Sequence, residues 1–404
     1  MWRGTVGDMT TPTLDRPGIR LIPIAVIVGV CLAIVLSAFA GTGASTAGGR
    51  LGGDFPAFYA AGRIVIEGSG DALYDPATQA EYQEALYPDD DGYLFFAYPP
   101  FTAVAYAALA ILPYRLAFAL HGLLAVAALW GAVRLARPML PSLLRSRRHE
   151  LAAVAVMLAM YPILRSVLGG QNTAFTILLL AAVWRFAADD RPVWAGLSLA
   201  ALLYKPQYGV LAFLLVAAAR RWKILAWWLV AAGAAYLAGA AVAGWGWPAS
   251  WLDQSSVFNN ENLVVNGDLM VSAIGWFRSL FGVTEAWPGV VGFGLAALVG
   301  LLTAIAWWRR GIDAEAFALA STAIVIGAPS ALYYDAGIGA GALAVGAERG
   351  WAGGGRAVAA FVVLSWSQLA ATTLGWSPLF PVLIGVFIWS AAAVYRSSAT
   401  DPFD

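Results

Sequence analysis

LIPIAVIVGVCLAIVLSAFA, residues 21–40, decides the architecture of this chain. It is a continuous apolar run of about 20 residues, the length a helix needs to cross a bilayer. No small-residue cleavage site leading into a soluble chain follows it, so it reads as a retained first helix. The rest of the chain agrees: 404 residues, 60% hydrophobic, 12% charged, mean hydropathy +0.72. So few charges cannot cover a water-soluble surface. The fold class expected is an all-α, polytopic integral membrane protein. The formal net charge is zero, which removes nucleic acid as an expected partner. A single cysteine, Cys31, excludes an internal disulfide.

Apolar segments recur at 99–113, 115–136, 151–163, 173–187, 193–204, 208–219, 224–244, 287–308, 313–328, 335–347, 356–373 and 377–395. That predicts about 11–13 membrane segments in one transmembrane domain over 21–395. Of the 24 lysines and arginines, most fall in clusters: Arg134 to Arg148, Arg185 and Arg191, Arg220 to Lys223, Arg309 and Arg310, Arg349 and Arg356, Arg396, and three in the N-terminal tail. The positive-inside rule puts these on the cytoplasmic face, with tails 1–20 and 396–404. Segments 41–98 and 245–286 then become extracytoplasmic loops. Two full spans over 99–136 would give the wrong parity, so Tyr98–Pro113 is expected to be short, re-entrant or shallow.

Three breaks carry ionisable groups on the far side: Arg165 before GGQN (169–172), Lys205 in YKPQ (204–207), and Asp335 closing ALYYD (331–335). Broken helices at membrane depth occur only where they line protein or a watery cavity, and a charge there points to function. Two cations at that depth suit an anionic phosphate presented on a lipid.

The first loop opens GGDFPAFYAAGRIVIEGSGDALYDP (52–76). Asp54 has two readings: a partly desolvated general base, or the N-cap of a helix over 56–67 with proline at its start. Arg63 has a local reading as the i,i+4 partner of Glu67. Asp75-Pro76 reads as the start of a helix over 76–86. The acidic run Asp89–Asp91 reads as a solvated turn before Gly92 and not as a metal motif. His121 in an apolar helix and His149 in a basic loop form no zinc set or triad. No phosphate-loop or nucleophile-elbow motif stands in a credible context.

The strings D-F-x-x-F-Y-x-A-G-R (54–63), L-Y-D-P (73–76) and F-x-Y-P-P-F (96–101) resemble the first extracytoplasmic loop of glycosyltransferase family 87. The resemblance continues through GGQN, AGLSLAALLYKPQ (195–207) and NGDLMVSAIGWFR (266–278), covering about residues 50–340. It implies a GT-C membrane fold with short interfacial helices in the first loop. The implied reaction is inverting transfer of a hexose, expected to be mannose, from a polyprenyl-phosphate donor to a lipid or glycan acceptor. The site would face outward from a bacterial plasma membrane.

By the same resemblance Asp54 is the base. Arg165, Lys205 and Arg63 would neutralise the leaving phosphate, with no metal or other cofactor required. Tyr59, Tyr98, Gln171, Asn172, Gln207, Asn266 and Tyr334 would contact sugar or acceptor. Asp335 would hold a sugar hydroxyl or pair with a buried cation. Some family members carry a histidine in a late loop. The corresponding PSALYYD (329–335) has none, which leaves donor sugar and acceptor open. The alternative is a transporter or flippase of lipid-linked sugars, which also needs broken helices and buried charge. An acid on one long loop, and no second copy of the 52–98 pattern, favour the enzyme. An O-antigen-type polymerase would be expected to show an arginine and histidine pair in a large loop, and 245–286 has no histidine.

Overall fold

Proline sets where many of the helices begin. Pro56, Pro76, Pro100, Pro162, Pro192 and Pro206 each stand in the first turn of a helix. Their fixed φ suits the helix, and their missing N–H would have had no intrahelical partner there. The computed structural model describes residues 17–39, 45–46, 49–86, 93–282 and 284–399. The Asp89–Asp91 run, Arg3 and Arg16 lie outside them.

The chain is all-helical. Among the described residues the strand pairing is confined to Ser45–Thr46 with Gly49–Arg50 and a single bridge between Met270 and Leu332. Among the described residues, six helices have the length and composition to cross a membrane: Leu21–Phe39, Tyr114–Met139, Trp222–Ala243, Ala286–Arg310, Gly354–Leu374 and Leu379–Arg396. The segment expected at 151–163 is instead one arm of a broken pair, Arg147–Ala159 and Tyr161–Leu168, bent by 82°. Pro162 follows the break, where the residues cannot continue the preceding helix. Several further segments expected as spans are helices of 10–17 residues, among them Thr173–Ala188, Pro192–Tyr204, Pro206–Ala218 and Ala314–Gly327. Hydropathy finds apolar runs but not the prolines and turns that shorten them. The 98–113 segment is short as the parity argument required, with a helix only over Pro100–Ala110.

Burial sorts these helices. In Ala314–Gly327 every residue except Glu315 and Gly327 is buried. A helix apolar on all sides belongs inside the bundle. Phe317 on it stacks on Trp184 at 4.2 Å, and the Trp307 indole donates to the Ala316 carbonyl at 2.7 Å.

Both loops are helical and packed against the bundle. In Phe55–Ile66, Phe55 to Gly62 and Ile64 are buried. Residues 245–286 form a 20-residue helix, Trp247–Asn266, and a second, Ala273–Phe281. Their junction docks on the last break through the Val271 N–H, which donates to the Ala331 carbonyl at 2.8 Å.

The basic clusters meet at one end of the bundle. Arg221 reaches Asp190 at 3.3 Å and Arg220 reaches the Trp308 carbonyl at 3.3 Å. Arg310 and Arg349 share Glu315, at 3.4 and 3.1 Å. Glu348 accepts from the backbone N–H groups of Ser142 and Leu143 at 3.1 and 2.6 Å. The three breaks with Asp54 gather elsewhere.

Candidate active site

Two glycine pairs interlock to make the site. Gly53 and Gly170 have φ of +54° and +67°. A Cβ on Gly53 would stand 2.9 Å from the Gly169 carbonyl oxygen, and one on Gly170 would stand 2.5 Å from Phe55 Cβ. Only glycine allows that conformation and that approach together. The contact lets the Asp54 N–H donate to the Gly169 carbonyl at 3.1 Å. Phe55 anchors the loop from below, fully buried, with its ring 5.1 Å from His121, 5.6 Å from Tyr114 and 5.8 Å from Phe118.

Asp54 occupies the N-cap position of Phe55–Ile66, yet its side chain makes no capping bond. Its φ and ψ, −89° and −2°, are not those of a capping residue. The carboxylate instead accepts from Gln171 Nε2. Asp54 therefore stands at the helix start without capping it, and its side chain is held by the opposite loop. It is half-buried, neither solvated nor sealed.

Two tyrosines fix Asn172. Its side-chain oxygen accepts from the Tyr106 hydroxyl, which also lies 3.0 Å from His121 Nε2. Its main-chain carbonyl accepts from the Tyr204 hydroxyl at 3.0 Å. Tyr106, His121 and Tyr204 were not among the residues expected. A buried tyrosine–histidine pair leaves no local mark in an apolar helix, whereas Tyr204 could have been suspected from its place beside Lys205.

Lys205 is buried, and its ammonium lies 2.9 and 3.1 Å from the two oxygens of Asp335. The Tyr208 and Thr173 hydroxyls donate to the same carboxylate at 2.7 and 2.9 Å. Of the two expectations for Asp335, the structure has the pairing with a buried cation. Lys205, expected to face a phosphate, is instead enclosed with its charge compensated. Tyr334 is half-buried, with its ring 5.4 Å from the Lys205 nitrogen.

Arg165 differs from Lys205. It is exposed on the short Tyr161–Leu168 helix, within electrostatic reach of Tyr161, Tyr333 and Asp54. Tyr98 and Tyr334 each lie within electrostatic reach of both Asp54 and Asp335. Tyr98 also stacks parallel to Tyr204 at 6.3 Å. These groups make one cluster: a half-open carboxylate, an exposed guanidinium and a tyrosine wall.

The remaining expected residues lie further out. Arg63 pairs with Glu67, as its local reading proposed, and Glu67 also accepts from Tyr82 at 2.6 Å. That hydrogen bond first, and Arg63 after it, hold the Glu67 carboxyl below its ordinary range. Tyr59 is packed away, its hydroxyl donating to the Leu112 carbonyl at 2.9 Å. Asn266 bonds Asn262 at 2.8 Å, which in turn reaches Ser330 at 3.4 Å, beside the last break. Gln207 is half-buried in the first turn after Lys205. Asp75 caps its helix as expected, accepting from the Thr78 N–H at 2.8 Å.

The family model of glycosyltransferase family 87 matches residues 96–332, more than half of the chain. The chain belongs to glycosyltransferase family 87. This family 87 member is thus a membrane glycosyltransferase, and its GGQN and YKPQ breaks fall inside the matched region. Asp54, Tyr334 and Asp335 fall outside it and join the site through the contacts above. No curated protein matches this family 87 chain.

Proposed function

We propose that this enzyme transfers a hexose, mannose by the family resemblance, from a polyprenyl-phosphate donor to a lipid or glycan hydroxyl. The reaction takes place with inversion on the extracytoplasmic side of a bacterial plasma membrane. The transmembrane domain runs over 21–395, with both tails and the basic end in the cytoplasm. One observation carries the reading: Asp54 stands at a helix start without capping it, held by Gln171, beside an exposed arginine.

In this mechanism the acceptor hydroxyl loses its proton to Asp54 while its oxygen attacks the anomeric carbon from the face opposite the phosphate. The anomeric carbon–oxygen bond to phosphate breaks, and the leaving polyprenyl phosphate takes up that electron pair. Gln171 aims the Asp54 carboxylate. Arg165 meets the charge that develops on the leaving phosphate, the role in which fixed electrostatics lower a barrier most. Lys205 and Arg63 are already paired with carboxylates, which leaves the phosphate to Arg165. Tyr98 and Tyr334 offer faces and hydroxyls to the sugar. Asn172, Gln207 and Asn266 support its surroundings. No metal is invoked, so EDTA is expected to leave turnover unchanged.

The test uses purified protein, radiolabelled polyprenyl-phosphate-mannose and a membrane lipid extract. Wild type is expected to move label into a new glycolipid, and folded Asp54→Asn is not. Label that crosses a proteoliposome bilayer while staying on its polyprenyl phosphate would replace the transferase by a flippase.

A further inference from the structure

A cavity of about 310 Å³, whose lining includes neither Asp54 nor Arg165, runs along the Arg147–Ala159 helix. Six helices bound it, and side chains such as Ala153, Ala181 and Ala344 leave its space, with Trp184 and Phe317 along one wall. Val156 at its edge is exposed. Only two lining side chains are polar, Ser321 and His149. Ser321 is satisfied internally, donating to the Ala318 carbonyl at 2.8 Å. His149 is engaged by Arg145 at 3.0 Å and by Ser146 at 2.8 Å. The cavity therefore offers contacts to hydrocarbon alone. From His149 to Met160 it follows the Arg147–Ala159 helix for about 16 Å.

The end at His149 is strongly basic. Five arginines lie between residues 134 and 148, and Arg145, Arg147 and Arg148 are exposed. The nearby carboxylates are already matched. Glu150 is buried against Arg134 and Arg137 at 3.4 and 3.1 Å, and Glu348 accepts the two backbone N–H groups of the 142–143 turn. The positive end of the Arg147–Ala159 helix adds to the same field, and its N-cap Ser146 makes no capping bond. An apolar slot with a cationic mouth fits one kind of molecule, an amphiphile with a hydrocarbon chain and an anionic head.

We infer that this slot holds an acyl chain of an anionic phospholipid, its phosphate resting among Arg145, Arg147 and Arg148. The site is separate from the donor site, at the opposite end of the broken helix from Arg165. Its occupant would brace the arm on which Tyr161 and Arg165 are carried.

The test is native mass spectrometry of the full-length protein with an equimolar mixture of dioleoylphosphatidylglycerol and dioleoylphosphatidylcholine. Wild type is expected to retain the phosphatidylglycerol preferentially. Arg145→Ala and Arg148→Ala should each reduce that preference by about fivefold. Ala153→Phe, and independently Ala344→Leu in case the first fails to fold, should lower retention of phosphatidylglycerol by filling the slot. Equal retention of both lipids by wild type would overturn the inference. So would retention unchanged in both filled variants, which would mean surface charge alone. Displacement of the phospholipid by decaprenyl phosphate, lost in Arg165→Ala, would assign the slot to the donor's tail and overturn it as well.

Discussion

Lys205 and Asp335, 130 residues apart in sequence, form a buried ion pair in which both carboxylate oxygens lie within 3.1 Å of one ammonium. Two hydroxyls complete the carboxylate's hydrogen bonds. The pair ties the break at 202–205 to the break at 333–339, and so holds two walls of the site in register. Removing one partner leaves the other charge buried and uncompensated, which costs about 3–5 kcal/mol. Lys205→Met alone and Asp335→Leu alone are each expected to lower the melting temperature sharply, and the double variant to recover much of the loss. If Lys205→Met melts like wild type but no longer binds donor, the lysine is a phosphate ligand after all.

Asp54→Asn keeps an oxygen for Gln171 to donate to, so the fold should survive. Loss of the base is expected to lower kcat by about 10²–10⁴ with little change in donor KM. Steady-state kinetics separates the two, and a variant with raised KM and intact kcat would make Asp54 a binding residue only.

Gly170→Ala forces a Cβ to within 2.5 Å of Phe55 Cβ at a φ of +67°. It should cost more than about 1 kcal/mol and separate the two glycine loops. Activity should fall further than stability, because Gln171 then loses its aim on Asp54. Gly29→Ala, where nothing lies within 4 Å, serves as the comparison and is expected to change neither.

Arg165 is exposed, so Arg165→Ala should leave thermal stability within about 0.5 kcal/mol of wild type. If it meets the phosphate through charge-assisted bonds, each worth about 1.5–3 kcal/mol, kcat/KM should drop by about 10–100-fold. Arg165→Lys should restore part of it. An unchanged kcat/KM would remove the arginine from the site.

A good deal of this was legible without a structure. Residues 21–40, the recurring apolar runs and the grouped arginines give a polytopic helical protein, because hydropathy and charge act through composition. Proline positions foretell helix starts, as at Pro56 and Pro76. The three breaks were visible because each places a charge between apolar runs. Which breaks meet was not visible, and neither was the fact that Lys205 is neutralised by Asp335 while Arg165 stays exposed.

What the sequence by itself determined is therefore local: where helices can start, which segments are apolar, and which residues could carry charge. The tertiary structure alone decided partnership. It chose Gln171 for Asp54 and Asp335 for Lys205, and it packed the Phe55–Ile66 helix into the protein interior. The physical reason is range. Propensity and hydropathy act over one or two helical turns, whereas a buried charge must be compensated by whichever group the packed backbone brings within about 3 Å, at any distance along the chain.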